Sequence, residues 1–198
     1  MSHQLSEPDR AAFNCDDQDN ETWLDRARLC VEMLMSLSLA GERVVSIADI
    51  GCGDQKLRAV LQAKAVDCRY HGYDLIPQSG EVVPFDVQKD LLPHTCDVAV
   101  MLGVLEYLRD AQRALEKLAG RSRYLIVSHV VRQDNGPYTE QEIRRLKWCN
   151  HLSRQDVESM LGRTGFRPLQ SVWAADRRTM LFVAGSQGVG ASVGDGPS

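Results

Sequence analysis

The spacing of hydrophobic residues changes several times along the chain, and each change predicts a different element. Between Asn20 and Gly41 the apolar side chains recur at the spacing of a helix, at Trp23, Ala27, Cys30, Leu34 and Leu37. This spacing predicts a helix that begins near Asn20 and ends at Gly41. The run RVVSIADI (43–50) that follows is continuous and rich in β-branched residues, which is typical of a strand covered on both faces.

Strands and helices then alternate through the middle of the chain. The apolar runs predict further strands at 68–75, 81–87, 95–102 and 123–131. Helical spacing predicts helices at 54–65 and 110–120. This alternation favours a parallel sheet with helices on both faces.

The last third has a different pattern. Residues 132–150 are polar, and capping boxes beginning at Thr139 and Ser153 predict two helices. Two strand-like runs follow, at 166–173 and 179–185, joined by a short polar connection suited to an antiparallel hairpin. We therefore expect a mostly parallel α/β sheet that ends in an antiparallel hairpin.

Length and composition limit the organisation and the function. The 198 residues fit one domain at 20–184, with a polar arm at 1–19 and a Gly/Ser-rich tail at 185–198 that we expect to be disordered.

No signal peptide or membrane span is visible, which favours a cytoplasmic protein. The net charge of −4 disfavours a general nucleic-acid binder. The six cysteines are scattered, without a C-x-x-C pair, so we expect reduced thiols and no metal site.

The sequence IADIGCGDQK (47–56) has two glycines where a strand ends and a helix begins. Gly51 and Gly53 permit positive φ angles and let a ligand approach the main chain, although a tight turn without a ligand accounts for them equally well. Lys56 stands where a dinucleotide-binding loop has its third glycine, so no pyrophosphate site is indicated. Asp49 beside the loop would repel a polyphosphate and suits a cationic ligand.

Two more acids end the next predicted strands. Asp74 can accept hydrogen bonds from both hydroxyls of a ribose. Asp86 can accept a hydrogen bond from an exocyclic amine. With Asp49, they describe a ligand that has an unphosphorylated ribose, an amine-bearing ring and a positive charge. S-adenosylmethionine has these properties, although each acid alone is also typical of a solvated strand end.

The segments ADIGCGDQKL, HGYDL, PFDVQKDLLP and CDVAVMLGVLEYLRD resemble the successive motifs of class I S-adenosylmethionine-dependent methyltransferases. The resemblance covers residues 43–131 in detail and extends to 184 in the order of elements. It implies a Rossmann-like, mostly parallel seven-stranded sheet with helices on both faces and a C-terminal antiparallel hairpin.

The resemblance also implies how the cofactor is held. Asp49 would organise the methionine ammonium through water, and the carbonyls near Leu102 and Gly103 would receive that ammonium. Asp74 would hold the ribose, and Asp86 with the Val87 amide would contact the adenine. The full set of expected cofactor residues is Asp49, Gly51, Cys52, Gly53, Asp74, Leu75, Asp86, Val87, Leu102 and Gly103. The chain departs from the family at Gln55, where a third glycine is common, and at Tyr107, where a histidine is common.

Residues on the acceptor side are less clearly indicated. His129, His151 and Tyr107 are the candidate catalytic residues, and histidine suits proton transfer near neutral pH. Tyr138, Trp148 and Arg144 are the candidate substrate-binding residues. Each histidine alone is more often a hydrogen-bonded structural residue than a catalytic one. Trp148 is equally typical of core packing, and a basic cluster such as that around Arg144 is usually a solvated face.

In-line methyl transfer to a small-molecule or sugar-like acceptor is the predicted reaction. The Asn/Asp-Pro-Pro-aromatic motif of many amide- and base-methylating enzymes is absent after the fourth strand, as is the Pro-Cys of cytosine C5 enzymes. An acceptor presented on a larger carrier remains open. The alternative is a non-catalytic partner subunit or ligand sensor. Nicotinamide-dependent reduction is disfavoured by the missing third glycine and by the terminal hairpin.

Overall fold

The computed structural model describes residues 20–134 and 136–187. The predicted arm at 1–19 and most of the predicted tail lie outside the described residues. The helices are α1 (Asn20–Leu39), α2 (Lys56–Ala63), α3 (Ala111–Ala119), α4 (Glu140–Arg145) and α5 (Arg154–Arg163), with a 3₁₀ turn at Leu105–Tyr107. The strands are β1 (Ser46–Ile50), β2 (Arg69–Asp74), β3 (Val83–Pro84), β4 (Cys96–Met101), β5 (Ser122–Val130), β6 (Phe166–Trp173) and β7 (Thr179–Ser186).

The strands form one seven-stranded sheet in the order β3-β2-β1-β4-β5-β7-β6. Strands β1 to β5 are parallel, and β7 lies antiparallel between β5 and β6. This confirms the predicted fold class. The chain adds β2 and β3 on one side of β1, and it adds β4 and all later strands on the other side. The side on which new strands are added therefore switches between β1 and β4. Ligands of open α/β sheets bind at such a switch, at the carboxyl edge of the strands.

Helices cover both faces of the sheet, as the continuous apolar strands predicted. Ala99 and Met101 of β4 pack into a core with α3 and α5, whereas Val98 and Val100 face the core formed with α1 and α2. All four side chains are fully buried. Strands buried on both faces need apolar residues at every position, which explains the absence of alternation in these runs.

Two predicted strand ends are corrected by the structure. The expected strand at 81–87 is reduced to Val83–Pro84 at the edge of the sheet. Pro84 has no N–H to donate to a further partner, so the pairing is short there. At the other end, β7 continues through Ser186, which pairs with Phe166, two residues beyond the predicted domain boundary at 184.

The connection between β6 and β7 lies at the same edge of the sheet as the carboxyl ends of the parallel strands. Thr179, the first residue of β7, pairs with Val130, the last residue of β5. Asp176 fixes the connection, because its carboxylate accepts hydrogen bonds from the main-chain N–H groups of Arg178 (2.9 Å) and Thr179 (2.8 Å). Among the described residues, no helix has the length and apolarity needed to cross a membrane.

Candidate functional site

A cavity of about 240 Å³ opens at the carboxyl edge of the sheet, at the switch between β1 and β4. The loops after β1, β2, β3 and β4 form most of its wall, together with the first turns of α1. All ten residues that the sequence assigned to the cofactor line this cavity: Asp49, Gly51, Cys52, Gly53, Asp74, Leu75, Asp86, Val87, Leu102 and Gly103. Their roles toward a cofactor stay predictions, but the structure brings the whole set together.

The glycines after β1 are needed for two different reasons. Gly51 has φ 71°, and a Cβ atom there would overlap Cγ2 of Val104. Gly53 has φ 52°, and a Cβ atom there would meet nothing within 4 Å. The first glycine therefore permits a close approach between two loops, and the second leaves open space at the cavity wall.

Gln55 occupies the position where the family commonly has a third glycine. Its backbone is left-handed, with φ 64° and ψ 37°, and it lies immediately before the first residue of α2. A residue with a Cβ atom loses about 1–2 kcal/mol in this conformation. The turn therefore keeps its geometry without the glycine, and the backbone of Gln55 is strained.

Asp74 is held rigidly at the end of β2. Its Oδ2 accepts a hydrogen bond from the Gly53 N–H (2.8 Å), and its Oδ1 accepts one from the Ile76 N–H (2.8 Å). Each carboxylate oxygen has a second lone pair that can accept from a ligand hydroxyl. The two amides thus orient the carboxylate and connect it directly to the glycine loop.

Asp49 is the most deeply buried acid of the site, at 3% exposure. The Tyr70 hydroxyl donates a 2.6 Å hydrogen bond to its Oδ2. The pKa of Asp49 is raised to about 7, because burial and, to a smaller extent, the charge of Asp74 outweigh the Tyr70 hydrogen bond that lowers it. A cationic ligand nearby would favour the ionised form.

Asp86 lies at the rim of the cavity. Its Oδ1 accepts from the Gln88 N–H (3.0 Å), and its Oδ2 forms a 2.8 Å ion pair with the exposed ammonium of Lys89. The neighbouring Phe85 also lines the cavity and packs against Tyr73, with 5.2 Å between ring centroids. Phe85 was not among the predicted site residues, although its place beside Asp86 could have indicated it.

Cys52 lines the cavity as a protonated thiol. Burial and the nearby charges of Asp49 and Asp74 raise its pKa well above the ordinary value. Since the thiolate is the reactive form, Cys52 is not suited to act as a nucleophile. Within residues 20–134 and 136–187, no three His, Cys, Asp or Glu side chains are grouped so that they could hold a metal ion.

Trp23 of α1 is a cavity residue that the sequence did not indicate. Its spacing with Ala27 predicted only a helix face, and both residues line the cavity. A Cβ atom on Gly103 would overlap the ring of Trp23 at Cη2 and Cζ3. The absence of a side chain at Gly103, which has φ 67°, therefore lets the indole ring lie against the loop after β4.

The candidate catalytic residues separate into two groups. Tyr107 lines the cavity, but His129 and His151 are not among its lining residues. His129 is fully buried, and its Nε2 accepts a hydrogen bond from the Leu152 N–H (2.9 Å). Its Nδ1 lies 3.3 Å from Oε1 of Glu106. Both ring nitrogens thus face protein groups, and the catalytic role of His129 stays a prediction.

Glu106 is a buried acid that the sequence analysis missed. Its Oε1 accepts a hydrogen bond from the Val130 N–H (2.7 Å), and its main-chain carbonyl accepts from the N–H groups of Cys149 (2.7 Å) and Asn150 (3.0 Å). Burial would raise the pKa of Glu106, but the hydrogen bond and charge of His129 and the Val130 amide outweigh it, so the pKa lies below the ordinary value. Glu106 thereby ties residues 149–150 to the turn that contains Tyr107.

Three of the predicted acceptor-side residues form one aromatic cluster. The Tyr138 ring lies 4.9 Å from Trp148 and 5.9 Å from His151, and the Trp148 and His151 rings are 5.8 Å apart. The pKa of His151 is lowered by burial first and then by the nearby positive charges of His129 and Arg132. Arg144 is not part of this cluster, because its exposed guanidinium pairs with Glu140 on α4 (3.0 Å).

Several solved methyltransferase structures share the fold. Mitomycin 7-O-methyltransferase MmcR has a TM-score of 0.64 at 15% identity, over 91% of this chain and 58% of that chain. Magnesium protoporphyrin IX methyltransferase from Synechocystis PCC 6803 with bound SAM has a TM-score of 0.62 at 15% identity, over 94% and 100%. The pyocyanin biosynthetic protein PhzM has a TM-score of 0.55 at 20% identity, over 73% and 51%, so this chain spans about half its length.

Family membership comes from the sequence rather than from these distant structures. No curated protein matches the chain. A family model described as a methyltransferase domain matches residues 22–171, which is more than half of the chain. The protein therefore belongs to the methyltransferase domain family, which confirms its resemblance to the class I S-adenosylmethionine-dependent methyltransferases.

Proposed function

We propose that this protein is an S-adenosylmethionine-dependent methyltransferase that methylates a small-molecule or sugar-like acceptor by in-line transfer. The observation that supports it best is the convergence of Asp49, Asp74 and Asp86 on one cavity beside a glycine turn. Three carboxylates and few basic groups suit a ligand that has hydroxyls, an amine and a positive charge rather than a polyphosphate.

The residues of the cavity fit such a ligand in distinct ways. Asp74, already oriented by two amides, has lone pairs free for the ribose hydroxyls. Asp49 would offer a buried carboxylate to the methionine ammonium, and Gly53 leaves open space at the wall. When bound, S-adenosylmethionine supplies the methyl group on its sulfonium sulfur. The chain's own contribution is to align the acceptor with that group and to exclude water.

The acceptor would approach on the side of Tyr107. Tyr107 lines the cavity, and Glu106 connects its turn to the segment that contains Trp148 and His151. The Nε2 atom of His151 is buried and has no hydrogen-bond partner within the described residues, and the lowered pKa keeps the ring neutral near pH 7. A neutral imidazole with an open nitrogen can accept a proton from an acceptor hydroxyl. His129, enclosed by Glu106 and Leu152, is a weaker candidate for that role.

Flat hydroxylated aromatic compounds are suitable first acceptors to test. One structure with the same fold is an O-methyltransferase (NcsB1) from neocarzinostatin biosynthesis in complex with S-adenosyl-L-homocysteine and 1,4-dihydroxy-2-naphthoic acid (TM-score 0.60, 20% identity, 72% of this chain and 49% of that chain). The aromatic cluster of Tyr138, Trp148 and His151 could stack on a ring of this kind.

Calorimetry and a transfer assay test the proposal in two steps. S-adenosylmethionine and S-adenosylhomocysteine are first titrated into the full chain, and both should bind. Methyl-labelled S-adenosylmethionine is then supplied with a panel of hydroxylated aromatics and sugars that includes 1,4-dihydroxy-2-naphthoic acid. Transfer to a member of the panel supports the proposal, whereas a chain that binds neither adenosyl compound contradicts it.

A non-catalytic ligand sensor or partner subunit is the second candidate. It is favoured by the placement of His129 and His151 outside the residues that line the cavity. Cell extract separates the two functions, because an enzyme transfers labelled methyl groups to some component of it. A chain that binds the cofactor but labels nothing in extract would support the sensor.

A further inference from the structure

The first turns of α1 and the β6–β7 connection meet beside the cavity. Trp23 is half-buried and lines the cavity next to Gly103, where the amino-acid part of the cofactor is expected. Because Trp23 lies on the side of its helix that faces the loop after β4, it closes the cavity at this end. An indole ring at this place would exclude water from the ligand's methionine part.

Arg26 lies directly over the indole ring. Residues three apart on a helix are neighbours, and the guanidinium carbon of Arg26 is 4.4 Å from the centroid of the Trp23 ring. The Arg26 side chain is only 10% exposed. A planar guanidinium in this position stacks on the ring and restricts its rotation.

Asp176, in the β6–β7 connection, holds Arg26 on the side away from the indole ring. The Nη2 of Arg26 donates to Oδ2 of Asp176 at 3.4 Å. The same Oδ2 accepts from the Thr179 hydroxyl (2.8 Å), while Oδ1 accepts from two main-chain N–H groups of the connection. Although burial would raise the pKa of Asp176, these hydrogen bonds and Arg26 keep it below the ordinary value, so the carboxylate is charged near neutral pH.

Among the described residues, the guanidinium of Arg26 forms an ion pair with one carboxylate, that of Asp176. The Nε of Arg26 is buried and has no hydrogen-bond partner within the described part of the chain. Removing one partner of a buried ion pair leaves the other charge uncompensated, so the side chain should move or become hydrated. The stack on Trp23 would be lost with it.

We propose that Trp23 is a ligand-binding wall of the cofactor cavity, and that Arg26 and Asp176 are positioning residues that hold its ring in place. This inference rests on the proposed function, because it assigns Trp23 to the amino-acid end of an adenosyl ligand. The C-terminal hairpin would thus influence ligand binding through Asp176 and Arg26, although Asp176 itself does not line the cavity.

The first test measures S-adenosylhomocysteine binding by calorimetry. Trp23→Ala should weaken binding at least about tenfold, whereas Trp23→Phe, which keeps an aromatic wall, should stay within about threefold. Trp23 is half-buried, so its truncation should leave a folded protein. Unchanged affinity in Trp23→Ala would overturn the inference. Absence of binding in the unmodified chain would instead overturn the proposed function, so the two failures are distinguishable.

The second test uses fluorescence to separate positioning from mere stability. The chain has three tryptophans, so a Trp148→Phe/Trp173→Phe background leaves Trp23 as the only indole, and all comparisons are made within it. Asp176→Asn retains an oxygen for the two amides but loses the carboxylate charge that pairs with Arg26. We expect its Trp23 emission to shift to longer wavelength and its affinity to fall about threefold to tenfold.

A matched control removes the other side chain that donates to Oδ2 of Asp176. Thr179→Val deletes the hydroxyl that donates to Asp176 Oδ2 and leaves the Arg26 pair in place. It should change neither the emission of Trp23 nor the affinity, even if the midpoint of unfolding falls. Arg26→Lys keeps the charge but not the planar stack, and it should shift the emission as Asp176→Asn does. If Asp176→Asn and Arg26→Lys both leave emission and affinity unchanged, the positioning role is wrong.

Discussion

The two halves of the carboxyl edge are built in different ways. The half that we propose for the cofactor, called the cofactor half, consists of the loops after β1 to β4, and each loop places an acid or a glycine in the cavity directly from a strand end. The half that we propose for the acceptor, called the acceptor half, lies around residues 131–152 and is organised by buried contacts between distant segments, above all those of Glu106 with His129 and with residues 149–150. A local motif can therefore specify the first half, whereas only the folded chain specifies the second.

The halves also differ in their buried charges. In the cofactor half, burial and the charge of Asp74 raise the pKa of Asp49, and a cationic ligand would favour its ionised form. In the acceptor half, Glu106 already has an internal partner in His129. We therefore expect changes in the cofactor half to alter ligand affinity, and changes in the acceptor half to alter stability and local order.

Gly51→Val should have the largest effect on S-adenosylhomocysteine affinity. The valine Cβ would overlap Val104, and the backbone at φ 71° disfavours a β-branched residue. We expect binding to weaken at least about 100-fold by calorimetry. Gly41→Val is the matched control, because Gly41 has φ 90° with nothing within 4 Å and does not line the cavity. Equal losses in both variants would mean that backbone strain, not the site, is responsible.

Asp74→Ala should weaken S-adenosylhomocysteine binding at least about tenfold, because a carboxylate that accepts from two hydroxyls is lost. Asp74→Asn should lie between Ala and the unmodified chain. Glu81→Ala removes an exposed carboxylate that pairs with Arg58 outside the cavity, and it serves as the control. Calorimetric affinity that is the same for Asp74→Ala and Glu81→Ala would exclude Asp74 from the ligand site.

The pH dependence of S-adenosylmethionine binding should follow Asp49. With a pKa of about 7 in the free protein, the carboxylate is mostly protonated at pH 6, and affinity should be about tenfold lower than at pH 8. Tyr70→Phe removes the hydrogen bond that lowers this pKa, so the fall in affinity should begin at higher pH. A flat profile from pH 6 to pH 8 would show that the ionised form of Asp49 is not needed.

The stability of the ligand-free protein should show the opposite dependence on the ionisation of Asp49. The folded-state pKa of Asp49 lies above its ordinary value, so the folded chain binds this proton more tightly than the unfolded chain. The contribution of Asp49 to the free energy of unfolding is therefore fully present only below its ordinary pKa of 3.8, and it is lost progressively as the pH rises to about 7 and above. Comparing urea unfolding of the unmodified chain and Asp49→Asn across this range isolates the contribution.

Glu106→Gln should have the smallest effect on cofactor affinity. S-adenosylhomocysteine binding should stay within about twofold, because the substitution acts on the acceptor half. The loss of the charge beside His129 should lower the free energy of unfolding by about 1–3 kcal/mol. Hydrogen exchange of residues 148–152 should become faster, whereas exchange in β1 should not. A large loss of cofactor affinity would show that the two halves are not separable.

The cofactor half could be predicted because its signals are local. Asp74 and Asp86 lie at the ends of apolar runs. Parallel strands bring their carboxyl ends to one edge of the sheet, independently of the connections between them. The capping boxes at Thr139 and Ser153 were equally local, and both are formed in the structure. In each case a few neighbouring residues determine the geometry.

The acceptor half and the Trp23 wall could not be predicted in this way. Trp23 contacts the loop at Gly103, 80 positions later in the chain, and that contact depends on how α1 docks on the sheet. His129 stands at a strand end like the acids, but its surroundings are set by Glu106 and Leu152, which are more than 20 residues away on either side. A single sequence has no signal for such pairings.

The antiparallel direction of β7 also has a practical consequence. The strand starts opposite Val130 and reaches the other side of the sheet at Gly185, opposite Tyr124. The described chain therefore leaves the sheet at Gln187, on the rim remote from the ligand cavity, whereas α1 begins close to it. A sensor surface or fusion partner joined directly after Gln187 should leave the entrance accessible, whereas one joined directly before Asn20 would crowd it.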